Sequence, residues 1–259
     1  MAMNTIRVLV TGGNSGLGLA TCKHFIEKGA RVASLDIAQS CITDITPNLY
    51  LQADVTKENE IQTAMDRVRN EFNGGLDLLV NCAGVSCAYL TYNHNKKRMH
   101  SLEEFQRILN VNVTGTFNVI RLACSLLAKP QTKENADEVH EDSNSSLIVM
   151  TSSIAAFDGT IGQAAYSASK GAIRSMTLPL ARELASVGIR VCTIAPGVMQ
   201  TPLLNVASKK AIDVLSKITP FPKRLGKPEE YAMLVDSIYS NQFLNGTTVR
   251  IDGALRMQS

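Results

Sequence analysis

The chain has 259 residues, 45% of them hydrophobic and 19% charged, with a formal net charge of +3. That length can bury a large core as one domain over residues 1–259, and the charge argues against a general nucleic-acid surface, since the one compact basic run is HNKKR at 94–98. No apolar stretch approaches the roughly 18 residues of a membrane span, no secretory signal is read at the amino terminus, and the cysteines at 22, 41, 82, 87, 124 and 192 show neither CxxC nor Cys/His spacing, so neither a metal nor a disulfide framework is expected.

Residues 6–10 read as a buried strand that ends abruptly in TGGNSGLGLA, directly before a helical pattern over 17–28 with Gly29 as its stop. Gly12, Ser15, Gly16, Leu17 and Gly18 therefore sit where a strand turns into a helix. Glycines there let backbone approach a diphosphate, and the helix N-terminus offers orphan N–H groups to the anion. A second strand, 31–35, leads into Asp36, 18 residues beyond Gly18. An acid about 20 residues past such a loop reaches the adenosine ribose, accepts its hydroxyls and repels a 2′-phosphate. With no Arg or Lys among Gly13, Asn14, Ser15 and Ile37, the pattern favours NAD(H) over NADP(H).

A third strand at 49–52 is followed by Asp54 and Val55, which also fit a strand-end turn before a cap at Thr56 and a helix over 57–72. Strand 77–80 runs into Asn81, Cys82, Ala83 and Gly84, small residues at a strand's carboxyl end, where doubly wound sheets bind ligands. Beyond the long basic loop at 88–100 comes a helix over 102–127, carrying Asn112 in NVNVTGTFN, where a polar Asn is locally unfavourable. The polar run KPQTKENADEVHEDSNSS reads as an exposed loop before strand 146–151. A helix over 164–187, a strand at 189–195, the Pro196–Gly197 turn, a lid-like stretch with a helical segment within 203–218, a helix over 228–240 and a strand at 248–251 complete the chain. The alternation predicts an α/β fold: a doubly wound parallel sheet of about seven strands, Rossmann-type, with helices on both faces.

Tyr166 and Lys170 stand four apart in GQAAYSASKGAI, hence on one face of the predicted helix. A neighbouring ammonium favours the phenolate of a tyrosine, whose ordinary pKa is about 10. Thr151, Ser152 and Ser153 lie just upstream, and local chemistry does not choose among their hydroxyls.

TGGNSGLG, NCAG, Asn112, Ser153, YSASK and Pro196–Gly197, in that order, resemble the short-chain dehydrogenase/reductase family over nearly the whole chain. The resemblance implies reversible hydride transfer on a secondary alcohol, with Ser153, Tyr166, Lys170 and Asn112 catalytic; family spacing selects Ser153, and Asn112 would position a water linking Lys170 to solvent. It places Asp54 and Val55 at the adenine, Cys82, Ala83 and Gly84 along the cofactor, Pro196, Met199 and Thr201 at the nicotinamide, and Gln163 with 155–157 at the substrate. GTFNVIRL, GQAAYSASKG, TPLL and DGALRMQS are most similar to members acting on short 3-hydroxyacyl-CoA esters and on 17β-hydroxysteroids, and departures fall at the amino terminus, 39–48 and 129–146. An acyl-CoA is placed first because the 88–100 loop is long and basic; a steroid stays open, and a reductase of carrier-protein substrates is disfavoured by Asp36. The same resemblance implies a homotetramer, a mitochondrial setting (with a cytoplasmic one left open) and a second role as a subunit in mitochondrial tRNA processing.

Overall fold

The structure, a computed structural model, describes residues 5–38, 46–129, 145–206 and 209–257. Along the chain, β1 (Arg7–Thr11), α1 (Gly16–Glu27), β2 (Arg31–Asp36), β3 (Leu49–Gln52), α2 (Glu58–Glu71) and β4 (Leu78–Asn81) come first. A two-stranded hairpin follows, β5 (Tyr92–Asn93) and β6 (Arg98–Met99), then α3 (Leu102–Leu109) and α4 (Thr116–Leu127). The second half contains β7 (Ser146–Thr151), α5 (Ala164–Leu184), β8 (Ile189–Pro196), α6 (Lys209–Ile218), α7 (Pro228–Ser240) and β9 (Thr248–Ile251).

Seven strands form one parallel sheet in the order β3-β2-β1-β4-β7-β8-β9. The strands are apolar on both faces because both are covered. Leu9, Leu79 and Ile148 pack with α2, α4 and α5, while their neighbours Val8, Val10, Val80 and Val149 pack with α1 and α7. The chain changes direction of travel across the sheet between β1 and β4, so their carboxyl ends open a crevice at the switch point.

Three departures from the sequence reading have local causes. The helix expected over 102–127 is broken by a π-helical turn, Asn110–Gly115, centred on Asn112. Asn112 turns its carboxamide onto Val85 of another segment, and Thr116 Oγ1 donates to the Asn112 carbonyl at 2.7 Å, so the regular ladder is widened there. The basic 88–100 loop is a hairpin, with Tyr92 opposite Met99, and Lys97 at φ 46 takes its tip. The helix expected to reach 187 stops at Leu184 and passes through a 3-10 turn to Gly188, left-handed at φ 71. Most of the polar run 129–146 and part of 39–48 lie outside the described residues.

Arg190 on β8 is only 6% exposed, which is unusual for an arginine. Its guanidinium donates to the carbonyls of Ile238 (3.1 Å), Tyr239 (2.9 Å), Asn241 (3.2 Å) and Leu244 (2.9 Å), thereby capping the negative end of α7. Burial pulls its pKa below the ordinary arginine value. Replacing it removes all four bonds; the carbonyls of Tyr239, Asn241 and Leu244 keep a donor each, from Gln242 Nε2 (3.3 Å), the Leu244 amide (3.1 Å) and Cys192 Sγ (3.3 Å), whereas that of Ile238 loses the donor that caps it, and an orphaned buried group costs about 1–3 kcal/mol. Arg190→Leu is expected to lose about 1–3 kcal/mol of stability, read from urea unfolding midpoints at unchanged m-value.

Candidate active site

The glycine loop is built by close contact. Gly12 and Gly16 are left-handed, at φ 65 and 50, and a Cβ on Gly12 would lie 2.8 Å from the Ala83 amide nitrogen. A Cβ on Gly18 would lie 2.1 Å from the Gly12 carbonyl oxygen, so α1 docks on the loop only without a side chain there. Ser15, the α1 N-cap, puts no side chain on the helix end, and the first turn has no acidic residue. That end is arranged to receive an anion.

Asp36, at the carboxyl end of β2, accepts from the Asn14 amide (3.0 Å) and the Ala38 amide (3.1 Å), so the carboxylate also pins the loop. Beside it, Ile37, Gln52, Asp54, Asn59 and Glu60 line a cleft of about 390 Å³. Asp54 Oδ1 accepts from the amide and the hydroxyl of Thr56, at 2.9 and 2.8 Å. The strand-end turn and a place in the cleft thus hold together for Asp54, whereas the cap expected at Thr56 is not made: the α2 N-cap is Lys57, whose side chain makes no cap bond. Val55 has its carbonyl bonded by Asn118 Nδ2 at 2.9 Å.

Of the three consecutive hydroxyls, two are spent inside the scaffold. Thr151 Oγ1 donates to the Asn81 carbonyl (2.6 Å) and lies 2.7 Å from the Tyr231 hydroxyl, and Ser152 Oγ donates to the Lys170 carbonyl (2.7 Å). Because Thr151 gives its proton to Asn81, Tyr231 is the donor in the second bond. Ser153 Oγ accepts from the Ala155 amide at 3.1 Å, and it is the hydroxyl that draws the Tyr166 phenol downward in pKa.

Lys170 is 6% exposed, and its Nζ donates to the Thr151 carbonyl at 2.8 Å. Burial pulls its pKa down to about 8, with the neighbouring Cys82 thiol opposing. The ammonium lies 5.7 Å from the centre of the Tyr166 ring. The expectation that this cation brings the phenol towards neutrality is not what the geometry gives: burial pushes Tyr166 above its ordinary value, and the opposing pull comes from Ser153.

Asn112 is 1% exposed. Its Oδ1 accepts from the Val85 amide (2.8 Å), and its Nδ2 donates to the Val85 carbonyl (2.9 Å) and to Ser169 Oγ (2.9 Å). The carboxamide is thus a clamp between the strand-end segment and α5. A Cβ on Gly84 would stand 3.2 Å from Asn112 Oδ1 and 3.5 Å from Lys170 Nζ, so this glycine keeps open the space the two polar groups share. Asn81, 3% exposed at the end of β4, has no partner for either amide atom.

The lid closes over the same end. Met199 pairs with Gly226, and a Cβ on Gly16 would sit 3.3 Å from Thr201 Cβ, which puts Thr201 over the glycine loop. Pro196 is buried at the end of β8, and Gln163, preceding α5, accepts from Thr160 Oγ1 at 2.8 Å. Sequence reasoning missed Tyr231, Val85 and Ser169: an aromatic on an apolar helix face, a valine and a serine carry no signal of these bonds.

A family model described as short chain dehydrogenase matches residues 7–212. The chain belongs to the short-chain dehydrogenase family. It is 49% identical over 254 residues to the 3-hydroxyacyl-CoA dehydrogenase type-2 of Drosophila melanogaster, covering 96% of each chain. To the protein of that name from Homo sapiens it is 48% identical over 255 residues, covering 96% of this chain and 95% of the other. The crystal structure of a 3-hydroxyacyl-CoA dehydrogenase type-2 from Mycobacterium avium superposes with a TM-score of 0.84 at 31% identity, covering 98% and 96%.

As a member the chain is an oxidoreductase acting on a small molecule with a nicotinamide cofactor, and the residues present fit one: a glycine-rich loop under an uncapped helix end, a cleft beside Asp36, and a buried ammonium with two N–H donors beyond its Thr151 bond. Among the described residues no helix is long and apolar enough to cross a membrane, and no three His, Cys, Asp or Glu side chains group to hold a metal ion.

Gly18→Ala drives a methyl into the Gly12 carbonyl; dinucleotide affinity, followed by reduced-cofactor fluorescence, is expected to fall at least about 100-fold. For Lys170 the folded pKa of about 8 lies below the ordinary 10.5, so the folded chain binds fewer protons than the unfolded chain between those values. Stability relative to Lys170→Met is therefore lowest below pH 8 and climbs as pH rises from about 8 to 10.5. Paired thermal melts at pH 7 and 10 check that sign.

Proposed function

We propose that the chain is an NAD-dependent 3-hydroxyacyl-CoA dehydrogenase, interconverting short (S)-3-hydroxyacyl and 3-oxoacyl thioesters of coenzyme A. The observation that carries the reading is the meeting of Ser153, Tyr166 and Lys170 at the carboxyl end of the sheet, beside the uncapped end of α1. The relatives named above supply the substrate class, and the basic hairpin at 92–99 gives an anionic coenzyme a surface to meet.

Gly12, Ser15, Gly16, Leu17 and Gly18 would hold the diphosphate. Asp36 would take the adenosine ribose through lone pairs not used by Asn14 and Ala38, with Asp54 and Val55 at the adenine and Cys82, Ala83 and Gly84 along the crevice. Pro196, Met199 and Thr201 would line the nicotinamide side. The nicotinamide, when bound, exchanges a hydride with the carbinol carbon.

Tyr166 moves the proton: as phenolate it takes the hydroxyl proton in oxidation, and as phenol it returns that proton in reduction. Ser153, with one hydroxyl proton, donates either to the substrate oxygen or to the phenol oxygen, holding charge on whichever carries it. Lys170 keeps a positive charge at pH 7, since its pKa of about 8 leaves it mostly protonated, and its two further donors suit the nicotinamide ribose. Asn112 keeps α5 in place through Ser169 and, with Lys170, borders the space beside Gly84 where a water would link the ammonium to solvent. Gln163 and residues 155–157 form the substrate wall.

The unit of function is the whole of 1–259, assembled as a homotetramer. Phe117 on α4 and Leu178 on α5, each 45% exposed, support burial against another copy. A mitochondrial setting accords with the resemblance.

The test follows NADH consumption with acetoacetyl-CoA, repeats it with NADPH, and runs Tyr166→Phe alongside. Expected are a rate lowered at least about 1,000-fold by Tyr166→Phe and a preference for NADH of about 100-fold that shrinks in Asp36→Ala. No turnover with NADH still bound would sink the acyl-CoA reading and turn the search to hydroxysteroids.

A further inference from the structure

Ser153 stands at the start of a short 3-10 turn, Ile154–Ala156, and its own position depends on that turn: the Ala155 amide donates to Ser153 Oγ at 3.1 Å, and the Ala156 amide to the Ser153 carbonyl at 3.0 Å. The turn is closed by Phe157 and Asp158, whose amides donate to the Ile154 carbonyl at 2.9 and 2.8 Å. Three residues of 3-10 helix do not hold themselves in place. What holds them comes from the far end of the chain.

Arg250, in the last strand β9, grips Asp158 with both terminal nitrogens, at 3.2 and 2.6 Å, 92 residues away in sequence. Its guanidinium lies over the Phe157 ring at 5.0 Å, and Arg174 of α5 lies 4.5 Å from the same ring. Arg250 is fixed in turn by Asp252 (Nε to Oδ2, 2.7 Å) and by the Leu255 carbonyl (3.1 Å), and Arg256 braces Asp252 at 3.0 Å. The Arg250 and Asp158 side chains are 19% and 17% exposed, so water competes little for this pair. The same segment also meets the lid: the Gly197 amide donates to the Ile251 carbonyl (2.9 Å), and the Phe221 amide to the Gly253 carbonyl (3.3 Å).

We propose that Arg250 is a positioning residue for Ser153, acting through Asp158, Phe157 and the 154–156 turn, so that the carboxyl-terminal segment sets the hydrogen bond that Ser153 offers to Tyr166 and to the substrate. The inference rests on the role given to Ser153 above. A bidentate pair suits this task because it fixes the plane of both partners as well as their distance, which a lysine at 250 does not.

The test is a double-mutant cycle in the full chain with NADH and acetoacetyl-CoA: wild type, Asp158→Asn, Ser153→Ala and the double variant, with NADH affinity and thermal midpoint measured on each. Asp158→Asn is expected to lower kcat about tenfold with NADH affinity within twofold of wild type. In the Ser153→Ala background the same change is expected to cost less than twofold, because the group it positions is gone. Arg250→Lys, which keeps the charge and loses the second bond, is the parallel variant should Asp158→Asn fold poorly, and is expected to follow the same pattern. Losses that multiply in the double variant, or an unchanged kcat in folded single variants, would overturn the proposal.

Wild-type turnover tests the substrate reading separately. If it is absent, amide hydrogen exchange over 155–158 still reads the clamp without substrate. Faster exchange there in Asp158→Asn, with α5 unchanged, supports it, and identical exchange overturns it.

Discussion

An ammonium buried at the end of a strand organises this molecule. Lys170 needs an acceptor where water does not reach it, and the acceptor is the carbonyl of Thr151, the last residue of β7. That requirement locks α5 onto the sheet at one height, and Ser152, donating to the Lys170 carbonyl, locks it a second time. Tyr166, one turn earlier on the same helix face, is then delivered to the space above the strand ends. Thr151 is itself held from below by Tyr231 of α7, so both helical layers contribute to the placement of one carbonyl oxygen.

The sheet explains why the other half of the site arrives at the same place. β1 and β4 are neighbours although β2 and β3 separate them in the chain, so the glycine loop after β1 and the NCAG run after β4 are pressed together. The Gly12 backbone comes so near Ala83 that a Cβ on Gly12 would lie 2.8 Å from the Ala83 amide nitrogen, and Thr11 Oγ1, accepting from that amide at 3.2 Å, ties the contact. Glycine is required here by neighbours from distant sequence as much as by its own dihedral angles.

What was legible in the sequence is what depends on local pattern. Both-face burial makes the parallel strands read as apolar runs, and each sheet strand lies within a residue or so of its expected place. The π-turn was not legible, since it exists because Asn112 finds Val85, 27 positions away. Strands of two residues, as in the hairpin, are too short for a period to show. The arginines of β8 and β9 were hidden for another reason: buried Arg190 and half-buried Arg250 look like solvent-facing residues in strands, and only the assembled fold reveals the carbonyls and carboxylates that receive them. The catalytic candidates were legible as types and spacings, but the division of labour among Thr151, Ser152 and Ser153 needed the bonds themselves.

That division bears on how the phenol is tuned. A cation 5.7 Å from a ring centre, itself drawn down to a pKa of about 8, opposes the burial of Tyr166 only weakly, and the phenol stays above its ordinary value. The group in this chain that already acts in the useful direction is Ser153, whose hydrogen bond favours the phenolate. Lys170 would still matter as a charge that persists at neutral pH and fades just above it. Proton transfer then depends steeply on where one serine hydroxyl points, since a hydrogen bond weakens sharply once it bends or lengthens. A site that relies on such a bond has a physical reason to anchor the turn behind it with a two-armed arginine from the last strand.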